Sequence, residues 1–179
     1  KNIKRSKILY NAFKEYKNFG KDKFRKNKNI NYFLETYLKK LENNGSNLSD
    51  ENLIKLCVTG KNVLVTGAGG SIGSELCRQI LRQTPAHLVL VEMNEFSLYK
   101  IYQELTKLFP YISIKPVLAN VVNKNQISLI LQSYKINTIY HAAAYKHVPL
   151  VEENISQSVL NNIFGTLSVV EASIENKIE

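Results

Sequence analysis

The sequence has no tryptophan, one methionine, four prolines and two cysteines among its 179 residues. No run approaches the roughly 18–20 apolar residues that a membrane-spanning helix needs. The first residues, KNIKRSKILY, include neither an initiator methionine nor an apolar signal core, so the sequence predicts no secretory or spanning segment and suggests a chain cut from a longer one. With 44% apolar and 22% charged residues, the chain can bury the core of one domain with an appendage.

The two cysteines, Cys57 and Cys77, form no Cys-x-x-Cys pair and have no histidines at metal-site spacing. We therefore expect no metal site. Both residues fall among apolar positions, which predicts buried free thiols. Free thiols suit a reducing compartment, so the expected location is the cytoplasm.

The positive charge is concentrated at the front of the chain. The formal net charge is +9, and residues 1–60 hold 14 Lys and Arg against 6 Asp and Glu. Residues 61–179 hold 10 against 9. The basic character therefore belongs to the first 60 residues and says little about what the rest of the chain binds.

Residues 1–60 carry apolar side chains at helical spacing and predict a small all-helical segment. We expect its aromatic stripe to pack on the body or on a second subunit of a homo-oligomer. An alternative is attachment of residues 1–28 to anionic lipid at the inner face of the membrane through their lysines. Nucleic-acid binding is a third interpretation, which the regular spacing disfavours because base stacking needs no such period. The stripe comprises Tyr10, Phe13, Tyr16, Phe19, Ile30, Phe33, Leu34, Tyr37, Leu38 and Leu41.

Residues 61–179 alternate between strand-like and helix-like patterns four times. The predicted strands are NVLVT, AHLVLVE, YISIKPVLA and INTIYHAAA, and Pro116 favours a sheet edge or a strand end for the third. Asn94 is placed to cap the helix after the second strand, and SVLNNIFGTLSVVEASI reads as one long helix. This order predicts an α/β fold, a Rossmann-type doubly wound parallel sheet, with its domain boundary near Gly60.

The stretch LVTGAGGSIGSE, residues 64–75, joins the first strand to its helix. Gly67 permits a tight turn, Gly70 allows a pyrophosphate to approach the backbone, and Gly73 lets the helix pack on the sheet. The N–H groups around Ser71–Gly73 then face an anion at the helix N-terminus. No Gly-Lys-Ser/Thr follows, which excludes a Walker A loop. The motif predicts a dinucleotide site.

Glu92 ends the second strand, nineteen residues after Gly73. A carboxylate at about this distance, ~20 residues on, accepts hydrogen bonds from the adenosine ribose hydroxyls. It also repels a 2′-phosphate, and the next residues, Met93 and Asn94, include no arginine to bind one. The sequence therefore favours NAD over NADP.

Four segments in order resemble the extended short-chain dehydrogenase/reductase superfamily. They look like its nucleotide-sugar 4,6-dehydratases of bacterial surface-polysaccharide and glycan biosynthesis, whose usual substrate is UDP-N-acetylglucosamine. The resemblance covers residues 61–175. The segments are TGAGGSIGSEL (66–76), NEFSLYKI (94–101), HAAAYKHVPLVE (141–152) and NNIFGT (161–166).

The resemblance implies a role for each matching residue. For the cofactor, it implies residues that hold the pyrophosphate, a residue that holds the ribose, two residues that frame the adenine and three alanines beside the nicotinamide. In that order, these are Gly67, Gly70, Ser71, Ile72 and Gly73; Glu92; Asn120 and Val121; and Ala142, Ala143 and Ala144. The family usually has Asp where Asn120 stands, and an Asn carbonyl can still pair with the adenine amino group. Tyr145, Lys146 and His147 would lie where the sugar nucleotide enters, and Asn162 would support the active site from behind.

The superfamily's acid–base pair, Tyr-x-x-x-Lys, is expected beyond residue 179, so no catalytic residue is assigned in this chain. The resemblance implies that the intact protein oxidises the sugar at C4 with NAD⁺, removes the C5 proton, eliminates water from C6 and returns the hydride. We expect the 179-residue chain to bind NAD weakly without turnover. Alternatives are a nucleotide-sugar 4-epimerase or reductase, which YKHVPLVEEN disfavours, and a non-catalytic NAD-binding scaffold.

Overall fold

The computed structural model describes residues 55–178, which belong to a compact unit spanning Leu48–Glu179. The predicted helical segment therefore lies outside the described residues, apart from a helical turn at 55–58. That turn buries Val58 completely in the core, on the N-terminal side of the expected boundary at Gly60. The boundary and the roles of residues 1–54 stay predictions.

The two cysteines differ. Cys77 is buried, as predicted, and burial raises the pKa of its thiol to about 12. Cys57 is exposed, so the prediction of a buried thiol is wrong for this residue. Its neighbour Val58 takes the inward position on the same helical turn, which leaves Cys57 on the outer side.

Four strands lie within residues 55–178, namely β1 Asn62–Thr66, β2 His87–Glu92, β3 Ser113–Leu118 and β4 Thr138–His141. They are parallel and form one sheet in the order β3-β2-β1-β4. Val63 of β1 pairs with Leu88 on one side and with Thr138 on the other. This confirms the predicted α/β fold with a Rossmann-type parallel sheet, and Pro116 lies on edge strand β3 as expected.

Helices follow each strand. They are α1 Ser71–Arg82, α2 Glu95–Leu108, α3 Lys124–Ser133, α4 Val148–Glu153, α5 Ile155–Ser158, a π-helix Val159–Gly165 and α6 Thr166–Glu175. The side chain of Asn94 caps α2 by accepting a hydrogen bond from Ser97 N at 2.8 Å, as predicted, and Asn123 caps α3 in the same way. None of the helices in residues 55–178 is long and apolar enough to cross a membrane.

Each face of the sheet packs against a pair of helices. Val63 and Val65 of β1 face a core shared with α1 and α2, while Leu64 faces a core shared with α3 and α6. Successive side chains of a strand point to opposite faces, and helices cover both faces here, so β1 is apolar throughout. Each fully buried aliphatic side chain contributes about 1.5–3 kcal/mol. The result is a rigid support for the carboxyl ends of the strands.

The predicted long helix near the end of the chain is interrupted, and that expectation is wrong in this respect. Residues Val159–Gly165 form a π-helix between α5 and α6. A Cβ atom at Gly165 would lie 2.9 Å from Val121 Cγ2, so the helix approaches the loop after β3 closely at this point. π-helical turns inside α-helices are often found at functional sites.

Candidate functional site

A cavity of about 210 Å³ lies at the carboxyl ends of the strands, where the sheet order reverses around β1. Open α/β sheets bind ligands at such switch points. The wall includes predicted residues from the glycine turn, β2, the loop after β3 and the segment after β4. It also includes residues that the sequence did not single out for this role, namely Val91, Met93, Ala119 and Asn161.

The turn after β1 tolerates no side chain at Gly67. Its φ is +63°, and a Cβ atom there would lie 2.7 Å from Ala142 O and 2.8 Å from Ala143 Cα. A Cβ atom at Gly73 would collide with the carbonyl group of Gly67, whose carbon would be 2.7 Å away. Gly73 thus lets α1 pack on the turn itself, and not on the sheet as the sequence predicts. The first and third glycines of the motif constrain each other.

The N-terminus of α1 is uncapped. Its N-cap residue is Gly70, no side chain caps it, and the first turn of this helix holds no acidic residue. The N–H groups of Ser71, Ile72 and Gly73 consequently have no intrahelical partner. The helix dipole adds partial positive charge at the same place. The arrangement suits an anion.

Lys146 brings a formal positive charge to this helix end. Its Nζ donates a hydrogen bond to Ser71 Oγ at 2.8 Å. A cation beside a positive helix end is electrostatically unfavourable unless an anion joins them. The structure brings Lys146 to the predicted pyrophosphate residues, and its expected role toward the sugar nucleotide stays a prediction.

Glu92 ties the glycine turn to the start of α2. Its carboxylate accepts hydrogen bonds from Gly69 N at 3.1 Å, Met93 N at 2.9 Å and Asn94 N at 3.0 Å. A Cβ atom at Gly69 would lie 2.5 Å from Ser97 Cβ, so this glycine is also required by close approach. The sequence predicted neither contact. Gly69, to which it assigned no role, was nevertheless a signal for the close approach to Ser97.

The two residues predicted at the adenine differ in environment. Val121 is 4% exposed and lines the cavity. Asn120 is exposed, and its Oδ1 accepts a hydrogen bond from Val122 N at 3.0 Å. The bond orients this amide within the loop, and contact with an adenine stays a prediction.

Two adjacent asparagines of the π-helix hold the segment after β4. Asn162 accepts a hydrogen bond from Tyr145 N at 2.8 Å and donates one to Tyr145 O at 2.9 Å. Asn161 donates to Ala143 O at 3.3 Å and to Asn162 Oδ1 at 3.0 Å. The predicted supporting residue Asn162 therefore acts on the backbone of Tyr145. Asn161 was missed, although it stands beside Asn162 in the NNIFGT segment.

The remaining predicted residues lie around the same segment. Ala142, Ala143 and Ala144 line the cavity with small side chains. Tyr145 is partly exposed on the wall, and His147 is the exposed N-cap residue of α4 without a side-chain capping bond. Within residues 55–178, no group of three or more His, Cys, Asp or Glu side chains could hold a metal ion.

His141, at the end of β4, is enclosed between two hydroxyl groups. Its Nδ1 lies 2.7 Å from Thr66 Oγ1, and its Nε2 lies 3.0 Å from Thr166 Oγ1. Burial lowers the pKa of this imidazole, since the charged form would lose solvation. The ring connects β4 to Thr66 of β1 and to Thr166 of α6.

Comparison with known families identifies the chain. The family described as polysaccharide biosynthesis protein matches residues 63–179, which include the glycine turn and all of the sheet except its first residue, Asn62. The chain belongs to this polysaccharide biosynthesis family.

Individual relatives of this polysaccharide biosynthesis domain agree with the family. The capsular polysaccharide biosynthesis protein CapD of Staphylococcus aureus is 45% identical over 130 residues, which are 72% of this chain and 22% of the relative. A UDP-N-acetylglucosamine 4,6-dehydratase (inverting) of Campylobacter jejuni is 28% identical over 121 residues, 67% of this chain and 34% of that enzyme. The chain therefore spans about a fifth to a third of the length of these relatives.

A solved structure shares the fold of this family domain. The UDP-glucose-4-epimerase of Stenotrophomonas maltophila, crystallised with NAD and formylated UDP-arabinopyranose, superimposes with a TM-score of 0.61 at 24% identity. The match covers 66% of this chain and 35% of the epimerase. At this identity the likeness concerns the fold alone.

Proposed function

We propose that the domain binds a nicotinamide dinucleotide with its pyrophosphate at the N-terminus of α1. The observation that carries this proposal is the uncapped end of α1 with Lys146 hydrogen-bonded to Ser71 beside it. The glycine turn supports it, because Gly67 and Gly73 leave no space for side chains at the point where a backbone must approach phosphate. The residues present fit the cofactor's most charged part.

We propose Glu92 as the residue that meets the adenosine ribose and favours NAD over NADP. Its carboxylate already accepts three backbone N–H groups and keeps a fixed orientation at the cavity wall. Carboxylate oxygens have about four lone-pair sites, so capacity for a ribose hydroxyl remains. A 2′-phosphate would meet this negative charge at short range.

We propose that the nicotinamide end lies against Ala142, Ala143 and Ala144. A nicotinamide supplies reversible hydride acceptance when bound. The alanines leave room for a flat ring, and the backbone that carries them is held by Asn161 and Asn162. Small side chains on a fixed backbone exclude water without occupying the ring's place.

The longer protein that carries this domain is proposed to be a nucleotide-sugar 4,6-dehydratase acting on UDP-N-acetylglucosamine. The similarity to an enzyme with that name supports the reaction class, and the similarity to a capsular polysaccharide protein supports the biosynthetic setting. Tyr145, Lys146 and His147 follow the alanine segment and are the proposed contacts to the sugar nucleotide. The fold shared with a UDP-glucose-4-epimerase supports the alternative of a 4-epimerase or reductase.

Acid–base chemistry is not assigned to the described residues. The sequence pattern Tyr111–Lys115 has the family spacing, but Tyr111 is 99% exposed and precedes the amino end of β3, at the edge of the sheet opposite the cavity. We propose that the dehydratase acid and base are supplied by other parts of the longer protein. This domain is then competent for cofactor binding alone.

Isothermal titration calorimetry with the 179-residue chain tests the cofactor proposal. We expect saturable binding of NAD⁺ and of ADP-ribose, with weaker binding of NADP⁺, and no 4-keto-6-deoxy sugar from UDP-N-acetylglucosamine. Absence of NAD⁺ binding at millimolar concentration contradicts the proposal. Sugar turnover by this chain alone would show that the acid–base residues are misassigned.

A homo-oligomer in the cytoplasm remains a proposal. The described residues expose large apolar side chains on α4, α5 and the π-helix, including Leu150, Ile155, Ile163 and Phe164. Such a surface favours association, because contiguous apolar patches on monomers are rarely large. Sedimentation of the purified chain at several concentrations measures the state directly.

A further inference from the structure

The hydroxyl and imidazole groups at the end of β4 form one continuous series of hydrogen bonds. Ala142 N donates to Thr66 Oγ1 at 3.2 Å, and Thr66 Oγ1 lies 2.7 Å from His141 Nδ1. On the other side, His141 Nε2 lies 3.0 Å from Thr166 Oγ1, which donates to Asn162 O at 2.7 Å. The series connects the backbone of the alanine segment to the backbone of Asn162.

The direction of the series follows from its last member. A carbonyl oxygen only accepts, so the single proton of the Thr166 hydroxyl lies toward Asn162 O. Nε2 of His141 must then be the donor to Thr166 Oγ1. The other ring nitrogen of a neutral imidazole is an acceptor, and it takes the proton of the Thr66 hydroxyl. Every hydroxyl in the series both donates and accepts, and only one neutral tautomer satisfies all of them.

The far end of the series reaches the wall of the cavity. Asn162, whose carbonyl accepts from Thr166, uses its side chain to bond both backbone groups of Tyr145. The near end fixes Ala142, whose carbonyl would be 2.7 Å from a Cβ atom at Gly67. His141 therefore stands between the two anchors of residues 142–145 while its own ring lies outside the cavity lining.

We propose that His141 is a positioning residue which, as the neutral Nε2–H tautomer, holds residues 142–145 in place by linking Thr66 to Thr166. It acts through Asn162 and does not itself touch the ligand. The proposal rests on the proposed function only in assigning this segment to the nicotinamide end. Its structural content stands on the hydrogen bonds alone.

Nitrogen-15 NMR of the histidine rings tests the tautomer in the unmodified chain. We expect Nε2 of His141 to be protonated and Nδ1 to be unprotonated at pH 7.5. The opposite tautomer, or rapid exchange between the two, overturns the proposal. This measurement needs no variant and no ligand, so it holds whether or not NAD binds.

Substitution of Thr166 tests the positioning effect. Thr166→Val keeps the shape of the side chain but removes the acceptor for His141 and the donor to Asn162. We expect amide hydrogen exchange at Tyr145, whose N–H bonds to Asn162, to speed up about tenfold, as loss of one net hydrogen bond predicts. Thr166→Ser retains the hydroxyl and should restore slow exchange.

Ser173 provides the matched control. Its hydroxyl donates to Val169 O at 2.6 Å in the same helix and with the same four-residue spacing, but away from His141. Ser173→Ala should leave Tyr145 exchange unchanged. Equal acceleration of Tyr145 and of core amides such as Leu90 in Thr166→Val, or none at Tyr145, overturns the proposal. If the variants behave as expected but NAD⁺ fails to bind, only the proposed function fails.

Discussion

The turn after β1 and the segment after β4 lie against each other and line adjoining parts of one cavity, and they are held in different ways. Gly67 and Gly73 fit because their backbones touch other backbone atoms with no space for a Cβ. Residues 142–145 are held by side chains from elsewhere, chiefly Asn161 and Asn162. The turn after β1 is fixed by close packing that the absence of side chains permits. The segment after β4 is fixed by hydrogen bonds to side chains of the π-helix.

This difference has consequences for stability and for change. A backbone contact offers no alternative arrangement, so a single added methyl group must displace the opposing segment. A hydrogen-bonded segment can lose one bond at a net cost of about 0.5–1.5 kcal/mol and remain near its place. We call the turn at residues 67–73 the glycine side and residues 142–145 the alanine side. We therefore expect one substitution on the glycine side to lower the stability strongly, and one on the alanine side to lower it only slightly.

Gly67→Ala should give the largest loss of stability, and a small loss would contradict the difference between the two sides. The new Cβ combines a positive φ with contact to Ala142 and Ala143, and we expect the free energy of unfolding to fall by about 2–5 kcal/mol. Gly60→Ala is the matched control, since its φ is +69° but nothing lies within 4 Å. It should cost only about 1–2 kcal/mol in urea unfolding. Equal losses in the two variants would mean that close approach is unimportant.

Lys146→Met sharpens the comparison at the point where the two sides meet. Removing the ammonium group beside Ser71 should weaken NAD⁺ and ADP-ribose binding about two- to fivefold and reduce the salt dependence of binding. The effect is modest because Lys146 is exposed, so solvent and salt screen its attraction to phosphate. The free energy of unfolding should not change. Lys115→Met, which changes an exposed lysine of edge strand β3, is the control and should leave binding unaffected. Unchanged affinity in Lys146→Met would remove this residue from the phosphate site.

The smallest expected effect concerns pH. Burial lowers the pKa of His141, so the unfolded chain takes up a proton more readily than the folded chain as pH falls through about 6.5. Stability should be complete above that pH and decrease below it, by less than about 1 kcal/mol because the ring is only half-buried. Urea unfolding from pH 7.5 to 5.5 should show a steeper decrease in the natural chain than in His141→Gln. Parallel curves would contradict a neutral His141 in the folded state.

The sequence predicted the glycine side better than the alanine side for a physical reason. A positive φ and a close backbone approach both require glycine, and the glycines of residues 67–73 can be identified directly in the sequence. The cap at Asn94 was predictable because its partner, Ser97, is three residues away. Local geometry of this kind depends on a few neighbouring residues, so a short stretch of sequence is enough to predict it.

The contacts on the other side are long-range, so periodicity could not reveal them. Lys146 meets Ser71 across 75 positions, and Thr66 meets His141 across the same separation. The π-helix was missed since an extra residue per turn leaves the apolar pattern on both flanks helical. The prediction for Cys57 was wrong because an apolar neighbour, Val58, took the buried position.

Amide NMR of the uncapped helix end tests the central claim most directly. On titration with ADP-ribose, the N–H signals of Ser71, Ile72 and Gly73 should shift together and saturate. The N–H group of Tyr134, which donates to Ile130 O at the far end of α3, should stay unchanged and serves as the internal reference. Equal shifts at Tyr134, or none at residues 71–73, would contradict the account of α1 as the site for the cofactor's phosphates.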